Sequence, residues 1–342
     1  MIFKSINPAD GTLIKKYPSM PAKKVVSILN GVSQTFQEWR KTPFAARSEK
    51  MKKTAEILRS KKEEFAGLMT REMGKPIAQS RTEIEKCAWG CDFFAENAEK
   101  LLAPEIVPTD AAKSYVTYTP LGVVLAIMPW NFPFWQVFRF AAPAVMAGNA
   151  VLLKHASNVT GCALAVDEIF RSAGFPKNLF RTLVIAAKDV GRIIDHPAVQ
   201  AVTLTGSTPA GRSVAAKAGA ALKKVVLELG GSDPYVVLAD ADLQKTVEIC
   251  VFARLLNAGQ SCVAAKRFIV VESIGKEFEK RLVEKMREKK MGDPFDETIH
   301  LGPLARPDLR EELHRQVVKS VKKGGRAFVA NVYIKGLKFP KI

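Results

Sequence analysis

The chain has 342 residues, of which 47% are hydrophobic and 25% charged, and its formal net charge at pH 7 is +18. This length predicts about two domains. No run of eighteen apolar residues is present, which excludes a membrane-spanning helix, and the first residues lack a signal-peptide pattern. Five cysteines without paired spacing favour reduced thiols, so we expect a cytoplasmic protein without a membrane partner.

The positive charge is spread along the chain. Lysines alternate with glutamates, as in residues 276–290, and no arginine-rich stretch interleaved with aromatic residues stands out. This pattern is typical of a solvated basic surface, so we expect no nucleic-acid partner. A basic nucleic-acid-binding protein remains an alternative, marked by salt-sensitive retention.

The first hundred residues predict mainly helices. A turn at 7–11 separates two short extended pieces, and apolar residues then recur at helical spacing over 22–39, 45–73 and 77–101. Cys87 and Cys91 lie on one face of the last helix. A metal pair is conceivable, but no histidine or second cysteine pair accompanies them, so we favour core packing and expect no metal site.

From Gly122 onward, strands and helices alternate. Residues 114–119 predict an exposed strand, followed by apolar strands at 123–128, 150–154, 180–186, 201–205 and 224–228. Helices are predicted at 134–147, 163–173, 190–195 and 212–221. Such alternation indicates an α/β fold with a parallel sheet covered on both faces.

A second α/β unit follows. A strand is predicted within 233–242, a helix at 243–256, a strand at 267–271, and helices at 276–290 and 307–324. We therefore expect one domain over residues 1–229 and another over 230–342.

Two side chains predict covalent chemistry. Cys262 ends the turn Asn257-Ala258-Gly259-Gln260-Ser261-Cys262, and Glu228 lies between an apolar strand and two glycines. A thiol nucleophile and a carboxylate that activates water are the minimum needed to form and hydrolyse a thioester.

The segments Glu-Leu-Gly-Gly (228–231) and Gly-Gln-Ser-Cys (259–262) resemble those of the aldehyde dehydrogenase family. The resemblance runs from Asn7 to about Gly325 and is greatest to bacterial succinate-semialdehyde dehydrogenases. It implies a dinucleotide-binding domain, a catalytic domain, and a β segment near 106–119 that pairs subunits in a homo-oligomer. It also implies oxidation of a small aldehyde with NADP or NAD through a cysteine thiohemiacetal and thioester.

The resemblance assigns the catalytic roles. Cys262 matches the nucleophile, and the Asn131 side chain with the Cys262 backbone amide matches the oxyanion hole. Glu228 matches the general base, and its leucine neighbours predict a largely apolar environment. Without the resemblance, Asn131 would be a turn or cap residue and Glu228 a surface residue at a strand end.

The cofactor site is inferred in the same way, because the sheet carries no Gly-x-Gly-x-x-Gly motif. The resemblance assigns cofactor binding to Trp130, Lys154, Ser157, Gly206, Ser207, Gly211 and Leu229. NAD-preferring relatives often have glutamate at the position of Ser157. A neutral hydroxyl beside Lys154 tolerates a 2′-phosphate, so we favour NADP and leave NAD open.

Arg139 is the expected substrate-binding residue. It matches a position that meets the substrate carboxylate in succinate-semialdehyde dehydrogenases, and an arginine fork suits a carboxylate. The alternative is an ordinary helix-surface arginine.

The resemblance fails near the end of the chain. Residues 327–342 do not follow the family pattern, and the Glu-x-Phe-Gly-Pro motif is absent. We therefore expect a C-terminally truncated catalytic domain, with a cofactor-binding remnant without turnover as the alternative function.

Overall fold

The computed structural model describes residues 1–328, which form two compact units. The first contains residues 1–5, 15–68 and 81–229, and the second contains 6–14, 69–80 and the described residues from Gly230 onward. The predicted domains were 1–229 and 230–342. The structure differs in that residues 6–14 and 69–80 belong to the second unit instead of the first.

Long-range contacts explain this difference. A Cβ atom at Gly74 would lie 2.7 Å from Cγ of Pro303 and 3.0 Å from Cγ of Pro8. In addition, the Ile77 amide donates to the Pro294 carbonyl at 2.8 Å. Such contacts leave no periodic pattern in the sequence.

The chain begins with a β-hairpin and four helices. Strands β1 (Ile2–Ile6) and β2 (Leu13–Pro18) pair, and Gly11 in the turn between them has a φ of 77°. The helices are α1 (Ala22–Trp39), α2 (Phe44–Ser60), α3 (Lys62–Met73) and α4 (Ile77–Leu101). The predicted bounds of α1 and α4 are confirmed, whereas the helical stretch at 45–73 is divided at Lys61, where φ is −108° and ψ is 22°.

The predicted exposed strand at 114–119 is much shorter in the structure. Strands β3 (Glu105–Ile106) and β4 (Tyr115–Val116) form an antiparallel pair of two residues each. All four residues are exposed.

A five-stranded parallel sheet forms the centre of the first unit. Its strands are β5 (Val123–Met128), β6 (Ala150–His155), β7 (Phe180–Thr182), β8 (Val199–Thr205) and β9 (Lys224–Glu228), in the spatial order β7-β6-β5-β8-β9. The order reverses at β5, which has β6 on one side and β8 on the other. Ligands of such sheets bind beyond the carboxyl ends of the strands at this reversal.

Helices α5 (Trp135–Met146), α6 (Thr160–Ser172), α7 (Val190–Asp195) and α8 (Thr208–Ala220) connect these strands. Among these strands and helices, two predicted bounds are wrong by four residues, and the others differ by at most three. Strand β7 ends at Thr182, not at residue 186, and α8 begins four residues before the predicted Arg212. The early start of α8 has a local cause, because the Ser207 hydroxyl caps it by accepting from the Ala210 amide at 3.4 Å, and Pro209 occupies its first turn.

The core of the first unit is apolar and aromatic. The Phe170 ring lies 4.4 Å from that of Phe180 and 5.6 Å from that of Phe138, measured between centroids. Cys87 and Cys91 are fully buried in α4, which confirms core packing, and burial raises the pKa of the Cys91 thiol.

The second unit has a smaller sheet. Strand β10 (Pro234–Val237) pairs in parallel with β11 (Arg267–Val270), and the helices are α9 (Leu243–Leu255), α10 (Glu272–Arg287) and α11 (Pro307–Lys322). Helix α10 begins and ends a few residues before the predicted 276–290. Among residues 1–328, no helix combines the length and apolar character needed to cross a membrane.

Among the described residues, side chains cover this smaller sheet on one face. Val237 packs in a cluster with Val247 and Phe278, whereas Val236 and Ile269 on the other face are 63% and 51% exposed. Parallel sheets are normally covered on both faces, so this face is unusual for its class.

Phe170→Ala should lower the free energy of unfolding by about 3–5 kcal/mol, because it removes a fully buried ring from the core. Urea denaturation followed by circular dichroism measures this loss. Phe93→Ala in the same unit is the control, since Phe93 is 41% exposed and its truncation should cost much less. Equal losses in the two variants would contradict the assignment of Phe170 to the core.

Candidate active site

The carboxyl ends of four neighbouring strands bring most of the predicted residues of the first unit to one edge of the sheet. Ile127 of β5 lies opposite Lys154 of β6, and Thr205 of β8 lies opposite Glu228 of β9. Since neighbouring strands are about 4.8 Å apart, these four ends span about 15 Å. Trp130 and Asn131 follow β5 directly and are partly exposed.

The turn that carries Asn131 is fixed by two buried polar side chains. Nδ1 of His155 accepts from the Ala156 amide at 2.8 Å, so Nε2 carries the proton and donates to the Pro133 carbonyl at 2.9 Å. Oε1 of Glu83 accepts from the amides of Phe134 and Trp135 at 3.0 and 2.9 Å. The backbone following Asn131 is therefore held from two sides.

Burial lowers the pKa of two neighbouring residues at the end of β6. It lowers the pKa of His155 to about 4, so this imidazole is neutral at pH 7. Burial also lowers the pKa of Lys154, which is only partly covered. Ser157 follows in a short 3₁₀ helix and is exposed.

Arg139, Thr205 and Glu228 lie together at the edge. Nη2 of Arg139 donates to Oγ1 of Thr205 at 3.1 Å and lies 3.7 Å from Oε2 of Glu228. The side chains of Arg139 and Glu228 are 32% and 52% exposed. The predicted apolar environment of Glu228 is therefore wrong, and Arg139 is not an ordinary helix-surface arginine.

The segment 206–211 joins β8 to α8 and forms the first turn of that helix. The Gly206 amide donates to the Glu228 carbonyl at 2.9 Å, and Ser207 is the N-cap of α8. Gly211 lies inside α8, where a Cβ atom would come within 2.6 Å of Cδ2 of Leu229. Its lack of a side chain thus lets α8 approach Leu229, a packing role also known for glycines in dinucleotide-binding folds.

These residues fit a dinucleotide cofactor. The N-terminus of α8 lies directly after the carboxyl end of β8, and a helix N-terminus attracts phosphate through its exposed amides and dipole. Lys154 adds a cation at the end of β6, and the hydroxyls of Ser157 and Ser207 are both exposed.

Cys262 belongs to the second unit and follows a strained turn. Asn257, Ala258 and Gly259 have φ values of 54°, 55° and 75°, and such left-handed conformations cost L-residues about 1–2 kcal/mol each. Long-range hydrogen bonds stabilise the turn. The Asn257 amide donates to Oε1 of Gln79 at 2.9 Å, and Oε1 of Gln260 accepts from the Ala305 amide at 2.9 Å.

Cys262 also differs from the other cysteines in exposure. The other four are buried, whereas Cys262 is partly exposed. The ammonium of Lys266 donates to the Cys262 carbonyl at 2.6 Å and thereby fixes the backbone of this residue. A reactive thiol requires access, which Cys262 has.

Sequence patterns did not identify three supporting residues, His155, Glu83 and Thr205. Each acts through a partner distant in sequence: Pro133 is 22 residues from His155, Phe134 is 51 from Glu83, and Arg139 is 66 from Thr205. The sequence feature that could have identified such residues is a polar side chain in or beside a strongly apolar stretch, as with His155 at the end of β6. Within residues 1–328, no three histidine, cysteine, aspartate or glutamate side chains form a metal-binding group.

A doubly wound sheet, a polar carboxyl edge and an accessible cysteine after a Gly-containing turn define a class of enzyme. The chain belongs to the aldehyde dehydrogenase family, whose model matches residues 1–336. The match extends beyond the expected limit at Gly325, and the predicted loss of pattern lies mostly at residues 329–342, outside the described residues.

Among curated relatives, the chain is similar to a probable NADP(+) succinate-semialdehyde dehydrogenase of Synechocystis sp., with 51% identity over 95% of this chain and 71% of that protein. It is also 46% identical to an NAD(P)+ succinate semialdehyde dehydrogenase of Escherichia coli, over 97% of this chain and 72% of that protein.

Solved structures agree with this family. A structure of Gox0499 superimposes with a TM-score of 0.93 at 35% identity, covering 95% of this chain and 71% of that chain. The succinic semialdehyde dehydrogenase of Streptococcus pyogenes in complex with NADP+ has a TM-score of 0.92 at 32% identity, covering 94% and 71%. The parallel-sheet α/β fold predicted from the sequence is confirmed.

His155 should make stability depend on pH. Its folded pKa of about 4 lies below the ordinary 6.5, so the folded chain keeps it neutral while the unfolded chain binds a proton below pH 6.5. The stability it contributes is thus complete above pH 6.5 and is lost as the pH falls towards 4, by up to about 3 kcal/mol.

Urea unfolding between pH 7 and 4 measures this effect, with His155→Gln as the comparison because glutamine does not titrate. The difference in unfolding free energy between wild type and variant should shrink as the pH falls. A constant difference across this range would contradict the buried neutral imidazole.

Proposed function

We propose that this chain oxidises succinate semialdehyde to succinate with NADP, through a covalent intermediate on Cys262. The observation that carries the proposal is that Cys262 is the one cysteine of the five that is not buried. The functions named for the relatives support the substrate and the cofactor.

The first step is acylation of the cysteine. The Cys262 thiolate attacks the aldehyde carbon, so that a C–S bond forms and the carbonyl oxygen becomes an oxyanion. The Asn131 amide and the Cys262 backbone amide are the proposed donors to this oxyanion, and such fixed donors lower the barrier. A bound nicotinamide cofactor would supply the acceptor for the hydride; as the C–H bond of the former aldehyde carbon breaks and the C=O bond re-forms, Cys262 is left carrying a thioester.

Hydrolysis of the thioester requires a base. Glu228 is proposed to take a proton from water, whose oxygen attacks the thioester carbon. The C–S bond then breaks, the acid leaves, and the cysteine regains its starting form.

Lys154, Ser157, Gly206 and Ser207 are the proposed cofactor-binding residues, together with Trp130, Gly211 and Leu229. The contacts of Gly211 and Leu229 with each other support an indirect role, in which they set the distance between α8 and the residues after β9. The neutral and exposed Ser157 supports NADP over NAD, because no carboxylate at this position repels a 2′-phosphate.

Cofactor binding without turnover is a second candidate function. It is favoured by the placement of all the proposed cofactor-binding residues in the first unit. The given sequence spans about 70% of the length of the relatives it matches. Formation of NADPH that depends on added semialdehyde separates the two functions, because a chain that only binds the cofactor produces none.

A homo-oligomer is also proposed, paired through the segment near 106–119. Ile106, Tyr115 and Val116 in this segment are exposed apolar or aromatic side chains, which supports the proposal.

Iodoacetamide should modify Cys262 before any other cysteine of the native chain, and Cys262→Ser should abolish semialdehyde oxidation. Both results follow from the access and the nucleophilic role of this thiol. Peptide mass spectrometry and NADPH absorbance measure them. Retained turnover in Cys262→Ser would exclude the proposed nucleophile.

Glu228→Gln should leave acylation intact and slow hydrolysis by about 10²–10⁴-fold, since an amide cannot accept the proton. Rapid mixing should then show a burst of about one NADPH per chain followed by slow turnover. Asp195→Asn is the matched control, because Asp195 is a comparably exposed carboxylate paired with Lys217 at 2.7 Å in the same unit. A steady state without a burst at the wild-type rate would exclude Glu228 as the base.

Ser157→Glu should weaken NADP binding relative to NAD by on the order of tenfold, through repulsion of the 2′-phosphate. Fluorescence titration with each cofactor measures the ratio of the two dissociation constants, with Ser157→Ala as the neutral control. An unchanged ratio would remove Ser157 from the adenosine ribose site.

A further inference from the structure

The ion pair between Arg139 and Glu228 joins two residues to which the proposed function gives different tasks. Arg139 is the proposed partner of the substrate carboxylate, and Glu228 is the proposed base. Their contact in the structure means that an acidic ligand and Glu228 compete for one guanidinium.

We propose that Arg139 is an exchangeable partner: it pairs with Glu228 until the carboxylate of an acidic substrate takes the place of Glu228. The inference rests on the proposed function and adds a link between substrate recognition and the base. Binding of the acid releases Glu228 at the step in which it is needed.

The geometry shows which contact of Arg139 is fixed and which can exchange. Its bond to Thr205 is a hydrogen bond of 3.1 Å to a buried hydroxyl, so it anchors the guanidinium. Its approach to Glu228, at 3.7 Å, is longer than a charge-assisted hydrogen bond of about 2.8 Å. A guanidinium carries five N–H donors, so the bond to Thr205 can be kept while a ligand carboxylate replaces Glu228.

Exposure also favours exchange. Arg139 is accessible at 32%, so a dissolved carboxylate can reach it, and Glu228 at 52% can turn towards water without losing solvation. Ion pairs this exposed are weak, whereas a bidentate pair between arginine and a carboxylate is among the strong contacts.

The exchange has a consequence for specificity. An acidic aldehyde both binds to Arg139 and frees the base, whereas a neutral aldehyde of similar size leaves Glu228 paired. Acidic aldehydes are then favoured over neutral ones in the rate of thioester hydrolysis as well as in binding. If Arg139 only bound the substrate carboxylate, the preference would appear in binding alone.

Succinate is the probe for the test, because it carries the carboxylate and binds without reacting. Isothermal titration at 0.15 M salt compares wild type, Glu228→Gln, Arg139→Met and the double variant, with circular dichroism to confirm folding. Arg139→Lys keeps the charge and replaces Arg139→Met if the latter does not fold. Asp195→Asn controls for the loss of one negative charge, since Asp195 also belongs to an exposed ion pair.

Glu228→Gln should tighten succinate binding roughly two- to fivefold, because the competing carboxylate is gone. Arg139→Met should weaken binding by about tenfold or more, and in that background Glu228→Gln should change little. Asp195→Asn should leave the affinity unchanged.

Three results would overturn the exchange: no binding of succinate to the wild type, no gain in Glu228→Gln, or an equal gain in the Arg139→Met background. The last would mean that Glu228 repels the ligand through its charge alone. The test does not require turnover. If Glu228→Gln tightens succinate binding only when Arg139 is present, but the chain does not oxidise the semialdehyde, the exchange is supported and the proposed oxidation is rejected. If the chain turns over but Glu228→Gln does not tighten succinate binding, the oxidation is supported and the exchange is rejected.

Discussion

Parallel pairing around β5 is the constraint on which the described site of the first unit depends. In a parallel sheet all strands end at the same edge, so the residues that follow β5, β6, β8 and β9 come together although they are far apart in the chain. The strand order reverses at β5, and in open α/β sheets ligands bind at such a reversal. The packing of the apolar strands thus places polar side chains together at the carboxyl edge of the sheet.

Buried polar groups refine that arrangement. His155 and Glu83 are both buried, and each bonds to the backbone after the Asn131 turn. A buried polar group without a partner is costly, so these bonds are retained in the folded state and hold the turn in one conformation. The precision of the edge therefore depends on residues that have no chemical role of their own.

The second unit holds a strained backbone turn in front of Cys262. A turn of three left-handed residues precedes Cys262, and two hydrogen bonds offset its strain: the Asn257 amide donates to Gln79, and Gln260 accepts from the Ala305 amide. Within residues 1–328, the small parallel sheet is covered on one face, by the cluster around Val237 and Phe278. A strained turn and a small apolar cluster therefore occur together in this unit.

Local patterns in the sequence determined the fold class and many element bounds. The bounds of α1, α4, β5, α7 and β9 were predicted correctly, because apolar periodicity and turn residues act over a few neighbouring positions. The tertiary structure alone decided the rest. Residues 6–14 and 69–80 group with the second unit, His155 supports the Asn131 turn, and Glu228 pairs with Arg139 instead of lying among apolar groups. Such contacts join residues tens of positions apart, and only the folded chain brings them within bonding distance.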